Sequence, residues 1–97
     1  MAFMQRVADR SFAEAARERL VDEAFGHYLD WRDECAAVAD AYRNWSNAVA
    51  SESAVSFAAY VVALAREERA AGQYELVLGK AHRVLADGLG LMKGAGR

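Results

Sequence analysis

Few residues in this 97-residue chain could do chemistry by type, and fewer still by spacing. The one thiol is Cys35 and the two imidazoles are His27 and His82. A metal site on helices needs grouped ligands, as in His-Glu-x-x-His or Glu-x-x-His, and neither histidine has that company. His27, beside Gly26, reads as a helix-terminal residue and His82 as a solvated one. Cys35 takes a place among apolar residues, where a free thiol behaves as a small apolar side chain. Glu14, Glu18 and Asp22 align one turn apart and would suit paired carboxylates for acid–base work. Arg17 and Arg19 flank them, however, which is the pattern of a solvated face with weak ion pairs. Arg66-Glu67-Glu68-Arg69 reads the same way, except that Glu68 falls on the apolar line of its helix. There it needs an Arg from a neighbouring helix or a place at the edge. No phosphate-binding glycine loop, nucleophile elbow or helix-turn-helix signature occurs. The expectation is a chain without a catalytic, cofactor-binding or metal site, and not an enzyme.

The aromatic residues carry the clearer signal. Tyr28, Trp31, Cys35, Val38, Tyr42, Trp45 and Val49 follow one another at alternating spacings of three and four, the pattern of a coiled-coil seam. Such a line serves either as core within the chain or as a surface for a second copy or another protein, since Trp and Tyr suit surfaces that are part dry and part wet. The residues expected to form that interface are Tyr28, Trp31, Val38, Tyr42, Trp45 and Val49. A small aromatic ligand pocket is a third use of the same residues.

The elements that must position them are helices. The chain has no Pro, 22 Ala and seven Gly, four of these among the last ten residues, and Ala is the strongest helix former. Ser11-Phe12-Ala13-Glu14 fits a capping box at the start of a first helix, and Gly26 suits the position just past its end. Phe3 and Val7 could also extend this helix backwards. A second helix is expected over about 27–50, with Ser51-Glu52-Ser53 as the loop after it. Beyond Ala54, a line through Phe57, Val61, Leu64, Glu68, Ala71, Tyr74, Leu78, Ala81, Leu85 and Leu89 keeps to spacings of three or four. Gly72 either breaks this line into two helices or sits inside one long helix at about 1 kcal/mol; the apolar cluster that follows it favours a break. The fold class is all-α, an antiparallel helical hairpin or a three- to four-helix bundle, with a single domain over 1–90 and a flexible tail over 91–97.

Composition limits the rest. Ala aside, 31 larger apolar residues remain, enough for one small core. Net charge is −2; Lys80, Arg83, Lys93 and Arg97 make the C-terminal end basic, yet without aromatic residues for stacking on bases. A nucleic-acid partner is therefore a lesser expectation. No stretch is apolar enough to span a membrane, and Arg6, Asp9 and Arg10 stand where a signal peptide would be apolar. The chain reads as a soluble cytoplasmic protein.

Two resemblances add to this. The length, the helical hairpin turning near residue 51 and the central Trp45 resemble the layout of the WXG100 family, small proteins exported by type VII secretion. That family carries Trp-x-Gly in the turn and a C-terminal Tyr-x-x-x-Asp/Glu; here Trp45-Ser46-Asn47 lacks the Gly, and Leu64 and Leu78 follow Tyr60 and Tyr74 at the acidic position. The stretch from Tyr28 to Glu68, with Tyr-x-x-Trp-x-x-x-Cys, Ala-Tyr-x-x-Trp and Ala-x-x-x-Glu-Glu, resembles small helical actinobacterial proteins of unknown function. The sequence thus leads to a helical interaction module that self-associates, as a dimer, or binds another helical protein.

Overall fold

Two antiparallel helices make up nearly all of the chain. In a computed structural model that describes the backbone of residues 2–95 and the side chains of residues 10–87, α1 spans Ala2–Ser46 and α2 spans Ser53–Ala95. Residues 47–49 and a single 3₁₀ turn, Ala50–Glu52, join them. The backbone extends at Val49 (φ −71°, ψ 159°). Bonds from the Asn47 amide to the Arg43 carbonyl (3.0 Å), Ala48 to Trp45 (3.2 Å) and Glu52 to Val49 (2.9 Å) carry the reversal. The reversal therefore falls slightly before the expected Ser51-Glu52-Ser53, and Ser53 opens α2. The hairpin measures 75 × 25 × 13 Å, a flat slab two helices wide and one helix thick.

The line along which the helices meet is read from the half-buried residues. On α1 it runs through Ala24, His27, Trp31, Glu34, Val38, Ala41 and Trp45, and on to Ala48 in the connection; on α2 through Ser56, Tyr60, Ala63, Glu67, Ala70, Tyr74, Val77 and Ala81. Spacings alternate between three and four on both, the repeat that keeps a contact line facing its partner over long distances. Small side chains (Ala41, Ala48, Ala63, Ala70) alternate with rings, so that the backbones approach while the rings stack. Among the described residues only Val77, at 3% exposure, is buried. Two helices cannot enclose a core, because each covers one side of the other and leaves the rest open.

The fold is the hairpin and not the three- or four-helix bundle, and it departs from expectation in its breaks. Ser11 and Glu14 lie exposed within α1, so the capping-box pattern is incidental. Gly26 is internal to the same helix, with nothing within 4 Å of a Cβ placed on it, and His27 is mid-helix instead of terminal. Gly72 does not break α2: packing against α1 on both sides of it outweighs the roughly 1 kcal/mol that Gly costs in a helix. Helix α2 also continues through the expected tail as far as Ala95, while Gly96 and Arg97 lie outside the described residues. Finally, the α2 contact line is Ser56, Tyr60, Ala63 and Glu67, one residue before the expected Phe57, Val61, Leu64 and Glu68. One residue rotates a helix face by about 100°, so the expected line faces outward over Phe57, Val61, Leu64 and Glu68 and meets the contact line at Tyr74 and Ala81.

Candidate functional site

The aromatic residues form two clusters along the hairpin. Near the turn, the Trp45 ring stacks on Tyr60 (centroids 5.5 Å, planes 15° apart) and tilts on Phe57 at 5.0 Å. Tyr42 meets Tyr60 edge-on at 5.6 Å. Farther out, Trp31 stacks on Tyr74 at 6.1 Å and 20°, with Tyr28 against Tyr74 at 5.7 Å and Phe25 against Tyr28 at 6.4 Å. Such pairs contribute about 0.5–1.5 kcal/mol each beyond area burial.

One polar contact fixes the register. Trp31 Nε1 donates to Glu67 Oε1 at 2.8 Å, between half-buried groups on facing helices. Glu67, rather than the expected Glu68, thus occupies the contact line; Glu68 is exposed. The Arg66 Nε lies 3.7 Å from Glu34 Oε2 across the helices, so Arg66-Glu67-Glu68-Arg69 is more than a solvated run. Arg43 pairs with Asp40 within α1.

The two broad sides of the slab differ. Writing the repeat as abcdefg with a and d on the contact line, α1 carries Trp31, Val38 and Trp45 at a, and His27, Glu34 and Ala41 at d, with Ala48 continuing the d line in the connection. On the d and g side, shallow grooves are lined by Asp30, Asp33, Glu34, Arg66, Arg69 and Gln73, with Ala37, Ala59 and Val62 between them. That side is mainly charged, with Val55, Val62 and Leu76 exposed among the charges. On the e side stand Val21, Tyr28, Cys35 and Tyr42 from α1, Val49 just beyond its end, and Phe57, Leu64, Ala71, Leu78 and Leu85 from α2, with Phe25 and Val61 flanking. The faces match because e lies beside e in an antiparallel pair, as g lies beside g in the grooves opposite. Tyr42 is 51% and Val49 61% exposed, Leu64 39% and Leu78 43%.

The residues singled out from the sequence therefore come together. Tyr28, Trp31, Val38, Tyr42, Trp45 and Val49 occupy the a and e positions, so the apolar stripe sits off the contact line toward one side. Trp31, Val38 and Trp45 lean on α2 and stay half-buried, while Tyr42 and Val49 open to solvent. What the sequence reading missed is the matching stripe on α2: it found Phe57, Val61 and Leu64 but assigned them to the inner line. Cys35 is a free, half-buried thiol on this face. Glu14, Glu18 and Asp22 are exposed, as is His82. Lys80 and Arg83 are exposed too, whereas the side chains of Lys93 and Arg97 lie outside the described residues.

Among the described residues no three His, Cys, Asp or Glu side chains are grouped to hold a metal ion, and no helix is long and apolar enough to cross a membrane. No family model, curated protein or solved structure matches the chain.

Proposed function

We propose that the chain is a non-enzymatic helical interaction module that acts through self-association, its aromatic and aliphatic face being the surface used. The observation that supports this is the open apolar face: among the described residues one buried side chain, Val77, against a side that presents Tyr42, Val49, Phe57, Val61, Leu64, Leu78 and Leu85 to solvent. Contiguous apolar surface of this extent marks interaction sites in soluble proteins, and closed two-fold pairing is the commonest way to cover it.

The test is mass in solution by light scattering on a sizing column. Leu64→Asp with Leu78→Asp on the apolar side is expected to raise the dissociation constant at least about a hundredfold, since each buried Leu contributes about 1.5–3 kcal/mol. Val62→Asp, on the opposite side, leaves it within about threefold. Equal effects from both sides would count against the reading.

A second reading, an exported hairpin of the WXG100 kind, is favoured by one observation: Trp45 lies in the last turn of α1, beside the reversal. Recovery of the protein from source cells but never from their medium would remove it.

A further inference from the structure

We propose that a second copy of this chain covers the apolar face in one arrangement, with the two-fold axis parallel to the helices, both turns at the same end, and α1 of each copy lying on α2 of the other. This rests on the self-association reading and adds its geometry.

Area favours a second copy of equal extent. A compact 10.6 kDa chain would expose about 5,500 Å², whereas this one exposes 7882 Å². The excess of about 2,400 Å² exceeds the roughly 800 Å² that each partner buries in a standard interface. A flat apolar face on a slab is matched along its length by another slab of the same length.

Charges at the rim of the face choose between the two symmetric ways of stacking. With the axis across the helices, α2 would lie antiparallel on α2 of the copy. Glu68 and Glu75 stand one heptad apart on the same flank. The register of fullest overlap sets Glu75 against Glu75 while placing Glu18 against Arg32 on α1, and shifting the register by one heptad, half a heptad of axis movement toward the turn, sets Glu68 against Glu75. With the axis along the helices, height is preserved, so each α1 residue meets on the copy's α2 the residues level with it in its own hairpin. The helices being antiparallel, the Glu34–Arg66 contact across them puts Arg32, two residues before Glu34, level with Glu68, two residues after Arg66, and both sit at the flanking b position. Each Arg32 then faces a Glu68 twice per dimer. Among the described residues of the single chain, the contact of the Arg32 guanidinium is the Tyr28 ring, its centroid 6.0 Å from the guanidinium carbon. Among the described residues the ion pairs are Arg43–Asp40 and Arg66–Glu34, so Arg32 and Glu68 are both unpaired. Glu18 likewise stands level with His82, since the Arg17–Val21 turn packs beside Ala81 and Leu85. Rim charges of this kind set partner orientation more than affinity.

The arrangement is tested by reversing charges in separate chains. Arg32→Glu alone and Glu68→Arg alone each place two like-charge pairs at the rim and are expected to raise the dimer dissociation constant about tenfold. An equimolar mixture of the two variants restores both pairs with opposite sign, and its mixed dimer is expected within about threefold of the unaltered protein. A mixture no tighter than either variant, with the unaltered chain still dimeric, overturns this geometry and leaves self-association standing. An unaltered chain that stays monomeric overturns both. Spin labels at Ser51→Cys, in a Cys35→Ala background, give a second measurement. Labels within about 30 Å, the width of a four-helix bundle plus linkers, support the arrangement; a separation approaching the 75 Å length of the hairpin overturns it.

Discussion

Trp31 does two things that no other side chain among the described residues combines: its ring stacks on Tyr74 and its indole nitrogen donates to Glu67. Replacing it by Phe keeps a ring but leaves a half-buried carboxylate without its donor. Trp31→Phe is expected to lower stability by about 1–2 kcal/mol, measured by urea unfolding followed by circular dichroism. At this scale the aromatic residues were legible in the sequence, because spacings of three and four are hard to produce by chance over so long a run. The partner was not legible. Glu67 and Glu68 are neighbours of identical chemistry, and only the rotation of α2 about its axis decides which of them meets Trp31. That rotation is set by packing along the whole helix, which no local pattern records.

At the scale of the helix, the residues that looked like punctuation were the ones misread. Gly26 and Gly72 sit in open helix, with negative φ and free space where a Cβ would go. Nothing in either position requires glycine. Gly72→Ala is expected to stabilise the protein by about 0.5–1 kcal/mol and raise the thermal midpoint by several degrees, with Gly26→Ala acting alike. Had Gly72 ended a helix, as the sequence suggested, the same change would destabilise. All-helical character, the hairpin and the turn near residue 51 could be read from Ala content, the absence of Pro and the serine pair. Where the helices run on could not, since tertiary contact overrides a single weak propensity. The α2 stripe through Phe57, Val61 and Leu64 was visible for the same reason as the α1 stripe, and was assigned inward because a lone helix in a sequence shows only one apolar side to explain.

For the whole molecule, the offset between stripe and contact line is the decisive feature. On α1 the large apolar residues of the stripe between Tyr28 and Val49 stand at a and e while d holds His27, Glu34 and Ala41; on α2 the aliphatic stripe stands at e, with Tyr60 and Tyr74 at a and, Val77 aside, small side chains such as Ala63 and Ala70 at d. The hairpin joins along one edge of each stripe and leaves the other edge facing out. A radius of gyration of 21.8 Å, against about 13 Å for a compact chain of this length, expresses the same openness. In the proposed dimer each hairpin gains stability from the other by mass action, so the thermal midpoint is expected to rise with protein concentration. The most direct test is sedimentation equilibrium of the unaltered chain from low micromolar to millimolar concentration. The expected result is a mass converging on twice 10.6 kDa, with helicity falling as the dimer dissociates on dilution. A mass of 10.6 kDa across the whole range, with helicity undiminished, would contradict it.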